Sequence, residues 1–120
     1  PSDRLQRAQV LAWQSFEQYS HEPYIAVARF IAKYLGLPEE RRAEYESKHE
    51  RGYRALDIME RHLASRDYFV GGHLTIADIS LYAYTHVAHE GGFSLEPYPA
   101  IRGWLAAVAG EPGHVSMQGE

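Results

Sequence analysis

The chain has 120 residues, 45% hydrophobic and 23% charged, which is enough for one domain with a real core and too apolar for a disordered polypeptide. Twelve basic against 16 acidic residues leave a net charge of −4 with no basic stripe, which argues against nucleic acid as a direct ligand. Cysteine is absent, which excludes disulfides, thiolate metal sites and a cysteine nucleophile and suits a reducing cytoplasm. No apolar run reaches membrane-spanning length and no secretory signal is visible, although the first residue is Pro1 rather than Met, as in a fragment or processed product.

The pattern predicts helices nearly throughout, without repeats or low-complexity segments. Ser2 is placed to cap a first helix through "DRLQRAQVLAWQSFEQYS", in which Leu5, Ala8, Ala12, Phe16 and Tyr19 step by three and four along one face. Pro23, in "SHEPYI", predicts a kink or break over residues 20–23 before the helix resumes through "YIAVARFIAKYL". Gly36 and Pro38 end that segment, and Pro38 suits the first turn of the next helix. There Tyr45, His49, Gly52, Leu56, Met59 and Leu63 form a long buried stripe. The charged positions between them read as a solvated face, with i,i+4 pairs expected at Glu44–Lys48, Glu50–Arg54 and Asp57–Arg61.

"SRDYFVGGH" reads as a loop turning at Gly71-Gly72. Thr75 and Asp78 follow with the spacing of a capping box, in which each side chain accepts from the other's backbone N–H. Leu74 and Ile79 flank the box where a hydrophobic staple would form. The helix so opened, over about residues 75–89, is apolar on most sides and belongs at the centre of a bundle. Pro99 opens a short last helix, "YPAIRGWLAAVAG". No segment reads as a strand, so the fold class is an all-α bundle around one central helix.

Chemistry-bearing motifs are sparse. None of the three "HE" pairs has the second histidine of a zinc-protease helix, and there is no phosphate loop or nucleophile elbow. His86, His89 and Glu90 share a helix face and could converge on a metal, but histidine at a helix end is equally explained by the dipole. His49 lies on the apolar stripe and reads as a satisfied core or interface side chain. "FEQYSHEPY" gathers Tyr19, His21, Glu22 and Tyr24 around the predicted break, either as a pocket wall or as a packing contact.

Three segments together carry a resemblance. "YFVGGHLTIADISLYAY" resembles the hallmark of the C-terminal domain of cytosolic glutathione transferases, matching at Gly71, Gly72, Leu74, Thr75, Ile76, Ala77 and Asp78. "WQSFEQYSHEPYIAVARF" is similar to the first helix of that domain in bacterial members, and "YPAIRGWLAAV" resembles its late helix, in the same order and spacing. The resemblance implies that residues 1–120 form the family's all-helical domain, with Thr75 and Asp78 as a folding device rather than a catalytic dyad. It implies no catalytic residue in this chain, because in the family a separate N-terminal thioredoxin-like domain binds glutathione, the co-substrate, and activates its thiol. Nothing in these residues reads as βαβ. The helical half walls the pocket for a hydrophobic electrophile, which implies a substrate-binding role for Phe16, Tyr19, Ser20, His21 and Glu22. It also contributes to a homodimer interface, to which Trp13 and Gln14 are assigned. The alternative is a non-catalytic docking module, since similar domains serve translation elongation factor and aminoacyl-tRNA synthetase assemblies. No cofactor, metal, nucleic acid or membrane is implied for the chain alone.

Overall fold

The computed structural model describes residues 4–111, so the predicted Ser2 cap lies outside the described residues. Helix α1 (Arg4–Phe16) runs through one widened, π-type turn (Glu17–His21) directly into α2 (Glu22–Arg29), which ends in a second π-type turn (Phe30–Tyr34). Helix α3 (Arg42–Leu63) follows a short 3-10 turn, α4 (Ile76–Thr85) is followed by another (Ala88–Gly91), and α5 is Pro99–Ala109. Among the described residues there is no strand, and no helix is long and apolar enough to cross a membrane. The all-α bundle read from the sequence is the fold observed.

The core lies where α2, α3, α4 and α5 meet, around Ile25, Leu56, Met59, Leu81 and Ile101, all fully buried. The α3 stripe packs as its spacing dictates: Gly52, Leu56, Met59 and Leu63 are buried, and Tyr45 and His49 half-buried. Tyr45 Oη and His49 Nε2 both donate to the Gly91 carbonyl, at 2.7 and 2.6 Å, so His49 is a satisfied packing residue. Gly91 itself is a contact point, since a Cβ there would sit 2.8 Å from the Arg29 backbone nitrogen. Helix α5 is held to α3 by Glu60, whose carboxylate accepts from the N–H groups of Ala100 and Ile101 at 2.9 and 3.0 Å.

The capping box forms at the head of α4. Thr75 is its N-cap and accepts from Ala77 N–H at 3.2 Å, while Asp78 Oδ2 accepts from Thr75 N–H at 2.9 Å. Asp78 does more than cap, because its Oδ1 accepts from Phe69 N–H at 3.0 Å and from Trp104 Nε1–H at 2.9 Å. A fully buried carboxylate thereby joins the loop before α4, the start of α4 and the middle of α5. The loop is correspondingly tucked inward, with Phe69 and Val70 each 2% exposed.

Three expectations change. Of the α3 ion pairs, Glu50–Arg54 forms at 2.9 Å; Glu44 is instead taken by Arg41 at 2.8 Å, and Asp57 accepts from Tyr98 Oη at 2.9 Å. The capped helix stops at Thr85 and tightens into 3-10 geometry rather than running to residue 89. The staple residues part ways: Leu74 packs against the core, whereas Ile79 is 54% exposed.

Candidate functional site

The first helix presents two stripes, and the structure chooses the less apolar one for the interior. Of Leu5, Ala8, Ala12, Phe16 and Tyr19, the shared face read from the sequence, Phe16 is half-buried and the other four are exposed. Inward face Val10, half-buried Trp13, Glu17 and His21, steps of three and four that lie on the other side of the same helix. Glu17 and His21 can go in because they satisfy one another. His21 is fully buried; its Nδ1 lies 2.9 Å from Glu17 Oε2 and its Nε2 2.7 Å from Thr85 Oγ1. Thr85 passes its own hydroxyl proton to the Leu81 carbonyl at 2.6 Å, which leaves its oxygen free to accept. Helix α4 is thus fastened at its C-terminal end to the wide turn of the first helix.

Pro23 explains why the turn is wide. It stands in the first turn of α2, lacking the N–H that would continue an α-helical ladder, and Glu22 N–H reaches back five residues to the Glu17 carbonyl. The chain therefore bulges where a break was expected, and the bulge aims its side chains in several directions. Phe16 is half-buried and meets Trp13 edge-on at 5.2 Å. Tyr19 is 75% exposed, and Ser20 and Glu22 are half-buried. His21 corrects the expectation of a side chain on a pocket surface, because it points into the bundle. Tyr24 lies under the cations of Lys48 and Arg51, 5.5 and 5.8 Å from its ring centre. Trp13, assigned to a subunit contact, instead packs inward on Phe69 at 4.6 Å and His62 at 4.7 Å.

On the outer side, a groove of about 380 Å³ runs between α1 and α4, lined by Leu11, Gln14, Ser15, Glu17, Gln18 and Ser80. Ile76 and Ile79 share a helical face with Ser80 and are 58% and 54% exposed, while Leu11 on α1 is 65% exposed. Two adjoining helices thus show solvent a broad apolar surface around a polar groove, with the Glu17–His21 pair beneath it. Of the groove residues on α1, the sequence singled out Gln14 alone, for a subunit contact; the others follow exposed Leu11 as a polar run with no local signal of a groove.

Around the second π-type turn and the end of α4, several titratable groups are committed to structure. Glu90 accepts from Arg29 at 2.6 Å and Lys33 at 3.0 Å, and these bonds, Arg29's first, hold its carboxyl below the usual range. His86 stacks on Tyr82 and bonds the Tyr82 carbonyl through Nδ1 at 2.9 Å. With Glu90 engaged by cations and His89 exposed, His86, His89 and Glu90 do not converge, and no three-ligand group suited to a metal occurs among the described residues.

Known proteins share this arrangement. The glutathione S-transferase of Pseudomonas fluorescens Pf-5 superposes with a TM-score of 0.96 at 63% identity, over 98% of this chain and 58% of that one. A glutathione S-transferase of Xanthobacter autotrophicus Py2 gives 0.94 at 45% identity, over 98% and 57%. Ure2p, solved in complex with glutathione, shares the fold with a TM-score of 0.79 at 24% identity, over 93% and 52%. Elongation factor 1-gamma of Danio rerio is 29% identical over 94% of this chain and 26% of its own length. The chain therefore spans little more than half of the solved relatives and about a quarter of the elongation factor. The sequence model of the glutathione S-transferase C-terminal domain matches residues 42–107, the stretch holding the α3 stripe, the Asp78 hub and α5, so by sequence and by fold the chain belongs to the glutathione S-transferase family as its C-terminal, all-helical domain.

Proposed function

We propose that this domain forms the wall of the electrophile pocket, and part of the homodimer contact, of a cytosolic enzyme that transfers glutathione to hydrophobic electrophiles or uses it as a reductant. The observation that carries the reading is the outer face of α1 and α4. Leu11, Ile76 and Ile79 lie open there, with Tyr19 exposed beside them at the bulge, which is what a domain looks like when its functional surface is completed by another body. Phe16, Tyr19, Ser20 and Glu22 flank that face as candidate wall residues. His21 serves it from beneath by fixing Glu17 and the bulge.

In this reading the chain supplies no catalytic group. Glutathione's thiol is mostly protonated at neutral pH, so turnover needs a donor that stabilises the thiolate, supplied by a thioredoxin-like half. The helical domain holds the electrophile against the sulfur and so lowers the entropic part of the barrier. The test is glutathione conjugation of a generic aromatic electrophile. The 120-residue chain alone is expected to show only the buffer rate, and a protein joining it to a glutathione-binding half to turn over. Turnover by the purified, tag-free chain would overturn the division of labour.

A second reading is favoured by one observation, the match of elongation factor 1-gamma to 94% of the chain. In it the same outer face docks a protein and no electrophile. A protein joining both halves that binds glutathione yet conjugates no electrophile would select this reading.

A further inference from the structure

A second concavity lies away from the α1–α4 groove, where α1, the C-terminal end of α3 and the glycine turn 71–72 meet. Its volume is about 560 Å³, and its lining includes Gln6, Gln9, Trp13, His62, Arg66 and Asp67. We propose that it is a small-molecule site for a neutral, planar heteroaromatic compound with an N–H or O–H donor on its edge.

The walls are aromatic and fixed. His62 stacks on buried Phe69 with ring planes 12° apart, and Trp13 meets Phe69 at 4.6 Å and His62 at 4.7 Å. Locked rings offer a flat ligand contact area without an ordering penalty. The polar anchor is His62. Its Nε2 donates to the Phe69 carbonyl at 2.8 Å, which assigns the ring proton and leaves Nδ1 as an acceptor. No described residue bonds Nδ1. Among the described residues the buried side-chain nitrogen or oxygen without a partner is His86 Nε2, so His62 Nδ1 is open to solvent, and this groove is the space that His62 lines. Burial lowers the basicity of His62, which keeps the ring neutral and the lone pair available near pH 7.

The rim sets the ligand's charge. Arg66 and Asp67 oppose each other in sign and offset one another at the exposed rim, and one Arg66 N–H is held by the His62 carbonyl at 3.0 Å. An ion therefore gains little, whereas a lone acceptor beside an aromatic wall selects a donor on a flat edge. The volume is within the usual range for small-molecule sites. This inference does not rest on the proposed electrophile wall: the concavity shares no lining residue with the α1–α4 groove, although exposed Leu5 borders it.

The test titrates the ¹⁵N-labelled chain with benzimidazole and with 1-methylbenzimidazole, which has the same flat body and no N–H donor. Benzimidazole is expected to shift the Trp13 indole N–H and the His62 ring nitrogens along a saturating curve, and the methylated probe to bind about tenfold more weakly, the cost of one unmade hydrogen bond. His62→Phe keeps a flat ring and is expected to weaken benzimidazole about tenfold while leaving the methylated probe unchanged. If that variant does not fold, the wild-type probe pair decides alone. Equal affinity for the two probes, silence at Trp13 and His62, or shifts confined to Tyr19 and Ile79 would overturn the proposal.

Discussion

Helix α4 is anchored at both ends by a buried polar constellation, and the two are built differently. At its head, Asp78 collects Thr75 N–H, Phe69 N–H and Trp104 Nε1–H, neutral donors from three segments. At its tail, Thr85 bonds to His21, which leans on Glu17, 13% exposed at the edge of the outer groove. The head is sealed inside the protein and serves folding alone. The tail runs from the core to a surface, so it serves both the fold and the shape of the candidate pocket wall. A glutathione transferase domain of this build thus separates a sealed capping carboxylate from one at the edge of the outer groove.

Substitutions can break that contrast. The largest effect is expected from Asp78→Ala, which strands buried donors in the loop, α4 and α5; we expect a loss of about 4 kcal/mol, the sum of several unmade buried hydrogen bonds. Urea denaturation checks it, and a midpoint near wild type would mean that water replaces the carboxylate. His21→Ala should cost less, about 2–3 kcal/mol, because Glu17 can turn toward solvent. Thr85→Val should cost about 1 kcal/mol alone and almost nothing in the His21→Ala background, a non-additivity that a double-mutant cycle reads directly. Additive losses would show that the clamp is not a unit.

The outer face should behave oppositely. Ile79→Ser removes a side chain that is 54% exposed, and the stability of the chain should stay within about 0.5 kcal/mol of wild type. A loss above about 1 kcal/mol would place Ile79 in the structural half of the contrast. Smaller still is the acid response of Glu90. Its carboxyl is held low by Arg29 and Lys33, so its contribution is complete above the ordinary glutamate range and disappears as pH falls through its lowered value. Glu90→Gln should therefore flatten the acid end of the stability–pH curve, and an unchanged curve would remove the triad from the account.

The same contrast explains what could be read from the sequence. The Asp78 cap was legible because its partners lie three residues apart and obey a local rule; its bonds to Phe69 and Trp104, 9 and 26 residues away, follow no spacing. The His21–Thr85 bond spans 64 residues and gives no local signal at all. The α3 stripe was legible because one helix face carried nearly all its apolar residues. On α1 the same logic picked out the face of Leu5, Ala8, Ala12, Phe16 and Tyr19, of which Phe16 alone is half-buried, and missed the inner stripe, which is coded partly by a mutually satisfied Glu–His pair. Apolar periodicity finds buried faces when one stripe carries the apolar residues, and it misses a stripe whose polar members satisfy one another.

The central claim is that the outer face of the first helix works without holding the fold. Tyr19→Ala tests it most directly, in a protein that joins this domain to a glutathione-binding half, assayed for kcat/KM against several electrophiles of different size. The account predicts an unchanged unfolding midpoint for the chain, an unchanged KM for glutathione, and losses that differ between electrophiles by about tenfold or more. The same loss factor with every electrophile, together with weaker glutathione binding or a lowered midpoint, would contradict it.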